Sequence, residues 1–198
     1  MHATLLRLQE LIENGHCREA ASLASQWCET QPDDAQAWFL LGAARHQLGL
    51  LPEALDAFER ALGIDPAHQG AAVARAALLC ELGRHIDALQ DFDRLLAQSP
   101  GDPRLLTNAG IVLERLGRVA DAVARYDAVL GANPHWTDAL LNRGAALASL
   151  GRLDEALADA QRLCALSPDL PDAHYNRGEI LLAMFKSLES LSASDAAL

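Results

Sequence analysis

Residues 35–68 read AQAWFLLGAARHQLGLLPEALDAFERALGIDPAH, and this stretch is the clearest copy of a 34-residue unit that recurs along the chain. One proline, one glycine and one alanine of the unit each occur five times at that interval, with no insertion or deletion between copies. These residues are Pro32, Pro66, Pro100, Pro134 and Pro168; Gly15, Gly49, Gly83, Gly117 and Gly151; and Ala20, Ala54, Ala88, Ala122 and Ala156. A fixed period of this length predicts an array of similar units, each in contact with its neighbours.

Each unit carries two apolar stripes at helical spacing. In the quoted stretch they are formed by Trp38, Leu41 and Leu48, and then by Leu55, Phe58 and Leu62. The glycine between the stripes stands where the first helix must end and the chain reverse, which favours a positive φ. The proline closes the unit because a helix rarely continues through it. The sequence therefore predicts an all-α fold of antiparallel helix pairs, near residues 1–14 and 17–31 and every 34 residues thereafter.

Two neighbouring positions of the first helix also recur. One holds a small residue where a side chain would hold the paired helices apart, and it is occupied by Gly42, Ala76, Gly110, Gly144 and Gly178. The position before it holds arginine in four units, namely Arg7, Arg75, Arg143 and Arg177. We expect the stems of these arginines to cover neighbouring apolar surface while their charges reach water.

The motif of the second unit resembles a known repeat. It contains Trp38-x-x-Leu41-Gly42, then Ala54-x-x-x-Phe58, then Pro66. This resembles the tetratricopeptide repeat (TPR), whose pattern is W-x2-L-G-x2-Y, A-x3-F and a terminal P. Arg45 replaces the tyrosine. The resemblance implies a right-handed α-solenoid of helix-turn-helix repeats.

The repeat register sets the expected domain organisation. We expect residues 1–185 to form a single TPR solenoid, with repeats at 1–34, 35–68, 69–102, 103–136 and 137–170 and a partial sixth at 171–185. Residues 186–198 have lost the register, and two interpretations stay open: a C-terminal cap, or a tail where a longer array was cut. An array end exposes what an inner unit buries, so Ile180, Leu181 and Met184 should need a cover.

Composition limits the class of protein. The formal charge of −11 disfavours nucleic-acid binding, which needs a basic stripe. No apolar run approaches the roughly 18 residues of a spanning helix, and charged residues interrupt the N-terminus where a signal peptide would be apolar. Four dispersed cysteines fit reduced, packed thiols. We expect a cytoplasmic protein, and its richness in alanine and arginine suggests a GC-rich bacterial genome.

Signatures of catalysis are missing from the sequence. It has no phosphate-binding glycine loop, no nucleophile elbow and no H-E-x-x-H pair. Carboxylates such as Asp33 and Asp34 precede helices, where they complement the helix dipole. His46 should face the groove, and a solvated or hydrogen-bonded histidine is favoured there over a metal ligand. We therefore predict a protein that is not an enzyme and that needs no cofactor or metal.

The TPR resemblance directs attention to the concave face. It implies that the first helices line this face, with positions 2, 5, 6, 9, 12 and 13 of each repeat pointing inward. Position 6 holds Asn108, Asn142 and Asn176 in three consecutive repeats. This resembles the asparagine ladder of O-linked N-acetylglucosamine transferase, which implies a grip on the backbone of an extended peptide. A carboxamide offers the donors and the acceptor that a peptide unit needs. The alternative, equally open, is that these amides bond a neighbouring helix and stabilise the stack.

Other inward positions complete the predicted peptide-binding surface. Phe39 and Leu40 make its N-terminal part apolar, as a ligand pocket or as a surface covered by packing. Arg104 and Arg115, near Asn108, are candidates to hold a carboxylate, and Tyr175 is a further groove residue.

The sequence thus predicts a scaffold that binds an extended peptide or a partner protein. The alternative is the substrate-presenting TPR region of a larger bacterial enzyme of glycosyltransferase or sulfotransferase type, as the resemblance also implies. Self-association, with one groove taking a terminal segment of another copy, is a third possibility.

Overall fold

The computed structural model describes residues 2–195, and within them the side chains of residues 3–187. This part of the chain consists of eleven α-helices and contains no strand. The helices are α1 His2–Glu13, α2 Cys17–Thr30, α3 Ala35–Gln47, α4 Leu51–Ile64, α5 Gln69–Glu81, α6 His85–Gln98, α7 Pro103–Arg115, α8 Val119–Ala132, α9 Thr137–Ser149, α10 Leu153–Leu166 and α11 Pro171–Asp195. The predicted all-α fold and its helix pairs are confirmed.

The turn within each pair depends on glycine. Gly15, Gly49, Gly83, Gly117 and Gly151 all have φ between +72° and +77°. At Gly49 the following amide, of Leu50, donates to the carbonyl of Arg45 at 3.0 Å and closes the end of α3. This left-handed conformation is costly for residues with a Cβ. The predicted positive φ is confirmed at each of these turns.

The helices group into two compact units, Met1–Ala97 and Gln98–Leu198. In the first unit, α3 packs against α2 and α4 and also contacts the first helices α1 and α5. In the second unit, α9 packs against α8 and α10 and also contacts α7 and α11. Within each unit the first helices of successive repeats therefore touch one another and form one layer. The second helices form the other layer.

A close approach between helices fixes the geometry of two pairs. A Cβ built on Gly42 would lie 2.5 Å from Cε1 of the buried Phe58 ring. A Cβ on Gly110 would likewise overlap the buried ring of Tyr126, whose hydroxyl donates to Glu114 at 2.5 Å. The expectation that a side chain would hold the paired helices apart is confirmed at these two glycines.

The same expectation fails at the last two of these glycines, Gly144 and Gly178. Around Gly144 an added Cβ would make contacts of 3.4–3.7 Å, which are ordinary. Around Gly178 it would meet no atom within 4 Å, so the prediction is wrong there. The reason is that α11 continues as a single helix to Asp195, and no second helix follows it among the described residues. Ile180 is buried, but Leu181 is 47% exposed.

The predicted cap or tail, residues 186–198, lies partly within the described residues. Its residues up to Asp195 continue α11, and residues 196–198 lie outside the described residues. The cap and the tail both remain predictions. Among the described helices, none combines the length and the apolar character needed to cross a membrane.

We predict that Gly110→Ala lowers the free energy of unfolding by about 1–3 kcal/mol, the range for overfilling a packed core. The matched control is Gly131→Ala in α8, where a new Cβ meets no atom within 4 Å. That substitution should raise stability by about 0.5–1 kcal/mol, because alanine is the better helix former. Denaturant unfolding followed by circular dichroism measures both changes. Equal gains in stability for the two variants would contradict the close approach at Tyr126.

Candidate functional site

A cleft of about 450 Å³ opens between the N-terminal parts of α7 and α9. It lies within the second unit and on the layer of first helices. Its lining residues are Arg104, Thr107, Asn108, His135, Trp136, Thr137 and Asp138. The structure therefore brings together two of the predicted site residues, Arg104 and Asn108. The volume is in the range of pockets that bind small ligands or peptide side chains.

The N-terminus of α9 borders this cleft without a side-chain cap. Helices α3 and α7 are capped by the carboxylates of Asp34 and Asp102, which accept backbone N–H groups of the first turn. The corresponding residue before α9 is Trp136, whose side chain makes no capping bond. Amides of the first helical turn have no partner within the helix.

Trp136 differs from the other two tryptophans in a second respect. Trp27 Nε1 donates to Asp34 at 3.0 Å, and Trp38 Nε1 donates to the Pro32 carbonyl at 2.8 Å. Trp136 Nε1 is buried and has no partner among the described residues. Buried donors are normally paired, and an unpaired one is costly. The indole of Trp136 is therefore an unsatisfied donor at the cleft.

The three predicted asparagines have different surroundings. Asn108 is exposed and forms no hydrogen bond with any described residue. Asn142 Nδ2 donates to the Asp138 carbonyl of its own helix at 2.8 Å, and Asn176 Nδ2 donates to the Leu141 carbonyl of α9 at 3.4 Å. The bond of Asn176 joins two helices, as the stacking alternative requires. Only Asn108 has its whole carboxamide free within the described residues.

The remaining polar candidates lie away from the cleft. Arg115 is exposed in the last turn of α7, about 16 Å along the helix from Arg104 at 1.5 Å per residue. It does not line the cleft with Asn108. Tyr175 is 71% exposed on α11. The two arginines therefore do not converge on one carboxylate.

The two residues of the predicted apolar surface, Phe39 and Leu40, have different surroundings. Leu40 is 4% exposed and belongs to a core cluster with Leu8 and Leu41. The packing alternative therefore holds for Leu40, which offers a ligand almost no surface. Phe39 is half-buried, and its ring centroid lies 5.1 Å from that of His68 and 6.2 Å from that of Phe58.

Two of the recurring arginines are ion-paired inside the fold. Arg75 donates through Nε and Nη2 to Asp91 at 2.8 and 2.6 Å, and Asp91 is 5% exposed. Arg143 bonds Asp159 in the same bidentate way, at 2.7 Å for each bond. The expectation that these charges reach water is thus wrong for Arg75 and Arg143. The signal that could have revealed the pairs is an aspartate 16 residues after each arginine.

The structure also bears on the predictions made for His46 and for the cysteine thiols. His46 Nε2 lies 2.9–3.0 Å from the carboxylate oxygens of Glu81, so it is hydrogen-bonded. Burial raises the pKa of the Cys28 thiol to about 11, which keeps it protonated and unreactive near neutral pH. In the part of the chain that the structure describes, no cluster of three or more His, Cys, Asp or Glu side chains could hold a metal ion.

We predict that Arg143→Ala lowers the free energy of unfolding by about 2–4 kcal/mol, because it leaves the carboxylate of Asp159 buried and unpaired. The double variant Arg143→Leu/Asp159→Leu should recover most of this loss, since it removes both charges. Denaturant unfolding measures the two variants. If Arg143→Ala is as stable as the wild type, water solvates the Asp159 carboxylate well enough to replace the arginine, and the prediction is wrong.

Comparison with known families identifies the array. The tetratricopeptide repeat pattern matches residues 5–69 and 107–171, which together make up more than half of the chain. The chain belongs to the tetratricopeptide repeat family. No curated protein sequence matches it.

Solved structures show the same fold at low sequence identity. A TPR protein from Parabacteroides merdae ATCC 43184 has a TM-score of 0.84 and 21% identity, over 96% of this chain and 76% of its own. PilW, a type IV pilus biogenesis factor, has a TM-score of 0.81 and 20% identity, over 96% and 89%. YrrB, described as a TPR protein with an unusual peptide-binding site, has a TM-score of 0.77 and 20% identity, over 88% and 90%. At this identity the likeness shows the fold alone.

Proposed function

We propose that this chain is a non-catalytic binding module whose α7–α9 cleft holds a segment of extended polypeptide. One observation carries the proposal: three side chains with unpaired donors line this cleft. Arg104, Asn108 and the Trp136 indole have side-chain donors without partners among the described residues. A polypeptide backbone supplies carbonyl oxygens at regular intervals, and the exposed donors of Arg104 and Asn108 are placed to bond them.

The equivalent cleft of the first unit provides the contrast. It has a volume of about 560 Å³ and lies at the N-terminal end of α3. There, Asp34 accepts bonds from Trp27 and from the Ala37 amide. His68 accepts the Ala71 amide through Nδ1 and bonds Gln36 through Nε2. These groups are already satisfied within the fold, so the first cleft has a weaker requirement for a ligand.

The amides of the ladder should have unequal roles in binding. Asn108 can donate and accept, as a peptide unit requires. The Nδ2 groups of Asn142 and Asn176 already donate to carbonyls of the fold, which leaves their Oδ1 atoms to accept from a ligand N–H. Contacts of this kind are made to backbone, so we expect the ligand to be selected more for its extended conformation than for its sequence. The net negative charge disfavours strongly acidic ligands.

We predict that Asn108→Ala weakens the binding of a peptide, selected from a random library on the immobilised chain, by about fivefold. This factor corresponds to one neutral hydrogen bond of about 1 kcal/mol. Changing Asn108, Asn142 and Asn176 together to alanine should weaken binding much more, provided that the three contacts are nearly independent. Isothermal titration calorimetry measures the affinities, and thermal unfolding identifies any variant that has lost stability.

The matched control is Gln161→Ala, which removes an exposed carboxamide from the second helix α10. This variant should bind the peptide as the wild type does. If the triple asparagine variant keeps both its fold and its full affinity, the asparagines only support the stack, and the proposal is wrong.

A further inference from the structure

The outer face of α11 carries a signature that recurs in the inner first helices. Arg177, Gly178 and Leu181 occupy the positions held by Arg75, Ala76 and Leu79 in α5 and by Arg143, Gly144 and Leu147 in α9. In α5 and α9 these positions face the second helix of the same repeat. The described part of the chain supplies no second helix to α11.

Each residue of the signature lacks the contact that its counterparts make. The leucines equivalent to Leu181 are buried, with exposures of 3% for Leu79, 2% for Leu113 and 2% for Leu147, whereas Leu181 is 47% exposed. Arg177 has no carboxylate partner among the described residues, although Arg75 and Arg143 each hold one.

Gly178 is the third member. Its counterparts Gly42 and Gly110 lie directly against the rings of Phe58 and Tyr126, and Gly144 has ordinary contacts of 3.4–3.7 Å, but no atom lies within 4 Å of the Cβ position of Gly178. Leu182 and Phe185 extend the uncovered surface and are 46% and 57% exposed. Leu181, Leu182 and Phe185 therefore make this face of α11 apolar over the residues whose side chains the structure describes.

We propose that this face of α11 binds an amphipathic helix of a partner protein, which docks as the missing second helix would. The fold itself specifies the chemistry of that helix. An aromatic residue should lie over Gly178, as Phe58 and Tyr126 lie over their glycines. The residue before it should be an aspartate that pairs with Arg177, as Asp91 pairs with Arg75. An adjacent apolar residue covers Leu181.

The chain itself contains a helix that meets these requirements. In α6, Asp91 directly precedes Phe92, and both are buried. A fluorescein-labelled peptide of residues 84–99 is therefore the probe. Isolated helices of this length are marginal in water, so a hydrocarbon bridge between the exposed positions of Ile86 and Gln90 holds it helical. Fluorescence anisotropy during titration with the full chain measures its affinity.

We expect saturable binding by the wild-type chain and an affinity at least about tenfold lower for Gly178→Leu, because the new side chain fills the position of an anchoring ring. The open space around Gly178 means that the substitution should not disturb the fold. The control is Gly131→Leu, another helical glycine with open space, which should bind as the wild type does. Replacing Phe92 of the peptide by alanine should cause a loss similar to that of Gly178→Leu.

A charge exchange tests the pairing with Arg177. Arg177→Asp should weaken binding of the original peptide, and a peptide with Asp91→Arg should recover at least part of the loss. No saturable binding by the wild-type chain, or equal binding by wild type and Gly178→Leu, overturns the proposal. Sedimentation velocity of the chain alone provides the remaining test. A dimer that Gly178→Leu converts to monomer would mean that a second copy covers this face, and the partner-protein proposal would be wrong.

Discussion

The close approach of the two helices in a repeat is the constraint on which the rest of the structure depends. Where glycine occupies the middle of the first helix, an aromatic ring of the second helix lies against its backbone, as Phe58 does at Gly42 and Tyr126 at Gly110. The turn glycines allow the second helix to return at that distance because they adopt a positive φ. Within each compact unit, each pair then presents its first helix to the next pair, so the first helices of that unit form one layer.

The proposed function rests on polar groups that this packing leaves without partners among the described residues. The fold satisfies most of its buried polar groups itself, through the Asp34 cap, the Arg75–Asp91 pair and the Arg143–Asp159 pair. At the α7–α9 cleft a tryptophan replaces the capping aspartate, and its own indole is left unpaired. An unsatisfied buried donor is an energetic cost to the free protein, and Trp136 lines the cleft together with the exposed donors of Arg104 and Asn108. This is why the cleft, rather than any catalytic group, directs the functional proposal.

The sequence predicted the fold well because the fold is local and periodic. Helix bounds, turn glycines and the close approach at Gly42 and Gly110 follow from contacts within one 34-residue unit. Contacts that involve a neighbouring repeat were harder to predict. The burial of Leu40 depends on a neighbouring repeat. Within a repeat, the ion pair of Arg143 was missed because it depends on which residue of the second helix faces the arginine. At Gly178 periodicity was misleading, because the sequence pattern continues there whereas, within the described residues, α11 runs on to Asp195 without a turn into a second helix. The candidate site was predicted only in part: Arg104 and Asn108 converge, whereas Arg115 lies at the far end of α7.

The most direct test of the binding role is a nuclear magnetic resonance titration that observes side-chain amides of the isotopically labelled chain. A library-selected peptide is added, and the side-chain resonances of Asn108 and Trp136 are followed. The account predicts that the Asn108 carboxamide and the Trp136 indole N–H shift strongly and together, while the exposed Gln161 on α10 stays unchanged. Shifts confined to the second helices α8 and α10, with Asn108 and Trp136 unperturbed at saturation, would contradict it.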